Sequence, residues 1–134
     1  MSKYGIDTNV LVRYLVQDNP QQSIIATTFL ESQCTEEEPG HITLVVLCET
    51  AWVLDRSYNH SRSQIAGVLK GLLTASELTV ENASVAWEAF RKYEQGNADF
   101  ADYVIGCVNR KEGCKKTITL DQKAAASDDF LLLT

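Results

Sequence analysis

The sequence has no Cys-x-x-Cys pair, only two histidines, two prolines and a single methionine, and no long apolar run. Each shortage removes a class of protein. The four cysteines, Cys34, Cys48, Cys107 and Cys114, match no zinc spacing and read as reduced thiols, with Cys48 and Cys107 as core fillers on helices. The longest uninterrupted apolar stretch, Leu44 to Cys48, is far too short to span a bilayer. Lys3 and Asp7 interrupt the first apolar stretch before a signal-peptide core can form, so a cytoplasmic protein without a membrane partner is expected. Basic residues are also scarce: 12 Lys+Arg against 18 Asp+Glu leave a net charge of -6, which excludes coating nucleic acid by bulk positive charge and leaves only local patches.

What is present is the composition of a compact domain. With 134 residues, 45% of them hydrophobic, the chain can bury about two thirds of its unfolded surface, and one domain over residues 1–134 is expected. Such a core needs no structural metal, so any metal would be functional. Tyr4-Gly5-Ile6 reads as a short strand stopping at Asp7-Thr8-Asn9, after which Val10, Leu11, Tyr14 and Leu15 recur at helical spacing. Asp18-Asn19-Pro20 breaks that helix, and Ile24, Ile25, Thr28 and Phe29 start a second that fades into the solvated turn Glu36 to Gly40. His41 to Thr43 is a second strand, followed by helices from about Leu44 to Arg56 and Ser61 to Leu73 and a third strand from Glu77 to Val80. A helix from Ala83 to Tyr93 is capped at Gly96, another runs from Asp99 to Gly113, and strands at Thr117 to Leu120 and Leu131 to Leu133 close the pattern. Strands alternating with helices imply an α/β fold in which crossover helices cover both faces of a parallel sheet.

Functional groups of parallel α/β sheets gather beyond the carboxyl ends of the strands. Asp7 and Asp121 each follow an apolar strand there, although an Asp in that position also caps helices. Glu49 has Val45, Val46, Trp52 and Val53 three and four residues away, which predicts a carboxylate on an apolar face. A buried charge of this kind must be protonated, paired with a cation or bound to a metal. Asp99 and Asp102 flank Phe100-Ala101 at the spacing of an N-cap and an acidic third helical position, and capping alone accounts for Asp99. Several carboxylates at one spot repel one another unless a cation neutralises them. All-oxygen ligation favours Mg²⁺ or Mn²⁺ over Zn²⁺, and such a site suits phosphodiester hydrolysis.

The segments Ile6-Asp7-Thr8-Asn9-Val10-Leu11, Glu49 in a mid-chain helix, Asp99-Phe100-Ala101-Asp102-Tyr103-Val104-Ile105 and Thr119-Leu120-Asp121 together resemble the PIN domain family, specifically the small ribonuclease toxins of VapBC-type toxin-antitoxin modules. The likeness spans essentially the whole chain. It implies a three-layer α/β/α sandwich with a central parallel sheet of order 3-2-1-4-5. It also implies Mg²⁺- or Mn²⁺-dependent endoribonuclease activity, a homodimer, and a small antitoxin partner. Asp7, Glu49, Asp102 and Asp121 match the family's acidic quartet, with Thr8 and Asn9 as supporting polar groups and Asp99 as an extra carboxylate. The metal is then held by Asp7, Asp102 and Asp121, while Glu49 positions the nucleophile or binds a second ion. Gln122-Lys123 departs from the arginine or acidic residue often found after the last aspartate.

RNA reaching an acidic rim needs nearby cations, for which Arg13, Arg56, Arg62, Lys3 and Lys123 are candidates. His41 and His60 lack an acidic partner at ligand spacing and are expected to be non-catalytic, and Trp52 and Trp87 are expected to pack in the core. Tyr14, Phe29 and Leu30 form either a patch for a protein partner or part of the core. An aspartate-nucleophile phosphatase requires Asp-x-Asp after the first strand, but position 9 is Asn; a phospho-receiver requires Lys where the chain has Asp121. The remaining alternative is a non-enzymatic α/β binding module whose acidic cleft takes a basic partner segment.

Overall fold

The computed structural model describes residues 3–134, which form two compact units, one ending at Ala83 and the other comprising Ser84–Thr134. The first unit opens with a short extended segment that bridges in parallel to His41 through Gly5, with Ile6 N donating to His41 O and His41 N to Tyr4 O. Strand β1 (Gly40–Ile42) pairs in parallel with β2 (Leu78–Val80), so β1 lies between the N-terminal segment and β2. The expected first three strands are thus adjacent in the order 3-2-1. Strand β1 ends one residue sooner than expected because Thr43 serves as the N-cap of the next helix, its side chain accepting from Val46 N at 3.2 Å.

Helix α1 (Thr8–Val16) begins at Asp7 and stops where Gln17 turns left-handed at φ 61°. That backbone conformation is uncommon for a residue with a side chain, and Gln17 holds it by donating from Nε2 to Tyr14 O and Thr27 Oγ1. Helix α2 (Pro20–Gln33) has Asn19 as its N-cap and Pro20 in its first turn. Its buried positions are Ser23, Ala26 and Leu30, and Ser23 Oγ donates to Arg13 O on α1. The helix forms where the sequence places it, but Ile24 and Ile25, 66% and 69% exposed, are not its inner face. Small Ser23 and Ala26 allow α1 and α2 to approach, which turns the bulkier isoleucines outward. Of the expected apolar patch, Leu30 is buried and so unavailable to a partner, while Tyr14 and Phe29 are half-buried.

Helix α3 (Leu44–Arg56) buries Val46, Leu47, Thr50, Ala51 and Leu54, a stripe at helical spacing, and α4 (Arg62–Thr74) starts with a capping box between Ser61 and Gln64. Cys48 is half-buried on α3, short of the core position expected for it, whereas Cys107 is fully buried. No disulfide joins cysteines among the described residues. Nor, among these residues, is any helix long and apolar enough to cross a membrane.

In the second unit α5 (Ala83–Gln95) buries Val85, Ala86, Ala89, Phe90 and Tyr93, and α6 (Phe100–Lys111) buries Phe100, Tyr103, Val104, Gly106 and Cys107. Trp87 packs edge-on against Phe90, as its spacing predicts. Strands β3 (Thr117–Thr119) and β4 (Phe130–Leu132) are parallel, joined through a short helix α7 (Gln122–Ala125) that sequence periodicity does not reveal. Gly96 does not act as a left-handed cap. Instead its missing Cβ makes room for Tyr103 Oη, which accepts from Ala98 N at 3.1 Å. Together the units make an α/β fold, as expected.

Four charged residues brace this unit. Arg110 contacts Glu88 at 2.5 Å and Asp129 at 3.1 Å, and Lys92 contacts Asp129 at 2.6 Å and Glu88 at 3.5 Å. Hydrogen bonding from Arg110 holds the Glu88 carboxyl below its ordinary range. Burial works to raise Asp129, but Lys92 and Arg110 outweigh it and hold that carboxyl low as well. Groups depressed in the folded state stabilise it fully above their unfolded values, and that contribution is lost as pH falls through the lower folded values. The melting temperature is therefore expected to drop below about pH 4, and less steeply in Asp129→Asn, in thermal melts followed by circular dichroism.

Candidate active site

The carboxylates singled out in the sequence fall into two groups, one in each unit. In the first, Asp7 stands at the start of α1 with extended backbone, and its Oδ1 accepts from Thr8 N at 2.7 Å. Thr8 Oγ1 donates to Glu49 Oε1 at 2.6 Å, so a single threonine connects the strand-end aspartate to the glutamate on α3. Glu49 is solvent-exposed, contrary to the apolar setting its neighbours predict. The reason is that α3 turns the opposite stripe inward: Val45 is 67% and Trp52 55% exposed, on the same side as Glu49. Trp52 is accordingly not a core residue. Thr50, fully buried by donating its hydroxyl to Val46 O, supplies a polar residue to the inner stripe and disguises it in the sequence.

In the second unit the β3–α7 junction and the start of α6 bring Asp121 and Asp99 within electrostatic reach of Asp102, although among the described residues the oxygens of these three acids do not all lie within 4.8 Å of one another. Burial pushes the Asp102 carboxyl above its ordinary range, and the negative charges of Asp121 and Asp99 push it further. This is the mutual repulsion that a cluster of like charges must show. Asp99 holds the N-cap position of α6 but makes no side-chain capping bond, so capping does not explain it. Asp121 does cap α7, accepting at Oδ1 from Lys123 N at 2.8 Å and Ala124 N at 3.3 Å. The cap and a ligand role are compatible, since a carboxylate has a second oxygen. Asp121→Ala is expected to lower the melting temperature of the metal-free protein through loss of this cap, about 1 kcal/mol. Asp121→Asn keeps the cap, removes one repelling charge and should melt at or above the unmodified chain, a contrast that differential scanning calorimetry reads directly.

A different trio, Glu88, Cys107 and Asp129, places potential ligand atoms within 4.8 Å of one another. Its carboxylates already carry an ion-pair network. The two carboxylates are already neutralised by Lys92 and Arg110, and burial, followed by the charge of Glu88, pushes the Cys107 thiol up to about 11.

Among the cations named from sequence, Arg13 is engaged by Gln22 Oε1 at 2.7 Å, Tyr58 Oη at 3.0 Å and Asp18 at 3.3 Å. It lines, together with Asp7, Asn9, Val10, Ile25 and Phe29, a cavity of about 610 Å³. Arg56 is exposed, in a long contact with Asp55 at 3.6 Å. Arg62 is half-buried at the start of α4, and Lys3 and Lys123 are exposed. His41 Nδ1 pairs with Thr79 Oγ1 at 2.8 Å across β1 and β2, a structural use.

Among known proteins, the family model described as PIN domain matches residues 4–129, which include parts of both units. No curated protein matches the chain significantly.

Proposed function

The chain belongs to the PIN domain family, whose members are generally metal-dependent nucleases, and from that premise we propose that it is a divalent-metal-dependent endoribonuclease, the toxin of a type II toxin-antitoxin pair of the VapC kind. The observation that carries the reading is the placement of Asp102 and Asp121 at the start of α6 and at the β3–α7 junction, near enough that the charge of Asp121 adds to burial in disfavouring the ionised Asp102, a repulsion that a bound cation would relieve. The donors are all oxygen, which fits Mg²⁺ or Mn²⁺. Within the second unit we assign Asp102 and Asp121 to the ion, and the family likeness adds Asp7 to the proposed ligands. When bound it supplies charge neutralisation at the scissile phosphate and acidifies water at neutral pH.

The chain's own residues supply the rest. Thr8 occupies one oxygen of Glu49 and so fixes the direction of the other, which takes a proton from, or orients, the attacking water. Asn9, exposed one residue further along α1, offers an amide to the substrate. Asp99 adds negative charge that raises the affinity of the cluster for a cation. The family likeness also supports a homodimer and an antitoxin partner, and a single domain and a cytoplasmic setting complete the reading. Arg13, Arg56 and Arg62 are the proposed contacts to RNA phosphates.

Thermal melting with and without millimolar Mn²⁺, alongside cleavage of total RNA, tests the proposal. The expected result is a metal-dependent rise in melting temperature that is lost in Asp7→Asn, together with cleavage abolished by chelation. A chain that neither gains stability from metal nor cuts RNA would instead be the acidic binding module.

A further inference from the structure

Helix α3 turns a row of four unlike side chains to solvent: Val45, Glu49, Trp52 and Arg56, each about one helical turn from the next. An indole is the most costly of these to leave in water, because it carries the largest apolar surface, yet Trp52 is 55% exposed. Its environment is nevertheless organised. The Arg56 guanidinium carbon lies 5.8 Å from the ring centroid, so a cation rests against the indole. Among the described residues the same Arg56 makes one ion pair, the 3.6 Å contact to Asp55, with both side chains more than half exposed. One turn in the other direction is Glu49, oriented by Thr8.

We propose that Trp52 and Arg56 form a nucleotide-binding subsite for single-stranded RNA, in which a base stacks on the Trp52 indole and Arg56 neutralises the adjoining phosphate. The inference rests on the ribonuclease reading above and adds to it a substrate-holding surface. Three observations select RNA as the occupant. A flat π-face open to solvent accepts any base without regard to its hydrogen-bonding edge, which is how single strands are held. The guanidinium beside it provides the positive charge that the chain as a whole, at -6, does not. Finally, the platform stands one helical turn from Glu49, so a strand stacked on Trp52 is already positioned near the carboxylate assigned to the nucleophile. Trp52 makes no bond in the reaction. It is a substrate-binding residue, and its contribution belongs in KM.

The test uses the full chain and a fluorescein-labelled oligouridylate about ten nucleotides long as the probe, with binding read by anisotropy in the Asp102→Asn background so that the probe survives. Trp52→Ala in that background is expected to weaken binding about tenfold, Arg56→Ala to weaken it and flatten its salt dependence, and Trp52→Phe to keep most of the affinity. In the otherwise unmodified chain, Trp52→Ala should raise KM about tenfold and leave kcat within about twofold, with no loss of melting temperature. Unchanged affinity and KM in Trp52→Ala, in a chain that still cleaves RNA, would overturn the subsite and leave the ribonuclease reading intact. Sedimentation showing that Trp52→Ala converts a dimer to a monomer would also overturn it, by giving the indole to a second copy of the chain. If the unmodified chain neither binds nor cuts RNA, both readings fail together.

Discussion

Replacing Asp102 by Asn is expected to lower RNA cleavage about a thousandfold, equivalent to about 4 kcal/mol of transition-state stabilisation, without lowering the melting temperature of the metal-free protein. The two effects have one origin. Asp102 is half-buried in the third position of α6, and its ionised form is disfavoured first by burial and then by Asp121 and Asp99. Asparagine is nearly isosteric and uncharged, so it relieves the repulsion and leaves the packing alone. It also removes one of the anionic oxygens that a divalent ion requires. The signature to look for is therefore threefold: cleavage lost, stabilisation by Mn²⁺ lost, and metal-free stability kept or raised. A carboxylate with a purely structural task would give the reverse, a lower melting temperature with cleavage intact. Retention of more than about a tenth of the original rate would remove Asp102 from the ligand set.

Gly96→Ala is expected to destabilise the protein by about 1–3 kcal/mol, roughly 5–10 °C in melting temperature. A methyl group at this position collides with Tyr103 Oη and stands 3.0 Å from Cζ and 3.2 Å from Lys92 O, and only one of those neighbours is a side-chain end that can swing away. Tyr103 is itself 4% exposed, so its ring has little room to retreat. Moving the hydroxyl also costs Ala98 N its acceptor, in a segment that is buried at Ala98. Tyr103→Phe added to Gly96→Ala should recover part of the loss, making the double variant more stable than the sum of the single effects. Strict additivity in chemical denaturation would show that the glycine is required for some other reason. Because residues 96–99 lead directly into Asp99 and α6, the same substitution should also reduce cleavage.

Much of this architecture was legible in the chain. Cap and turn residues announce the helix starts: Asn19-Pro20 before α2, Thr43 before α3, Ser61 with Gln64 before α4. These signals are local, involving groups within four residues, and local chemistry is what a linear sequence displays. The acidic positions at the ends of strands were visible for the same reason. Helix α7 was missed because four residues are too few for any periodicity to register.

Which side of a helix faces inward is a different kind of question. Helix α3 carries apolar residues nearly all round, LVVLCETAWVL, so periodicity names no single stripe, and in α2 the bulky isoleucines suggest a face opposite to the one actually used. Burial there was decided by fit: Ser23 and Ala26 are small enough to lie against α1, and Thr50 can be buried because Val46 O is in reach of its hydroxyl. The consequences for function follow directly, since that choice exposes Glu49 to Thr8 and leaves Trp52 in solvent beside Arg56. By itself the sequence determined the α/β pattern and which acids stand at element ends, through bonds among near neighbours. Only the tertiary structure decided that the charge of Asp121 bears on Asp102, because that interaction joins separate elements of the chain and depends on distance in space.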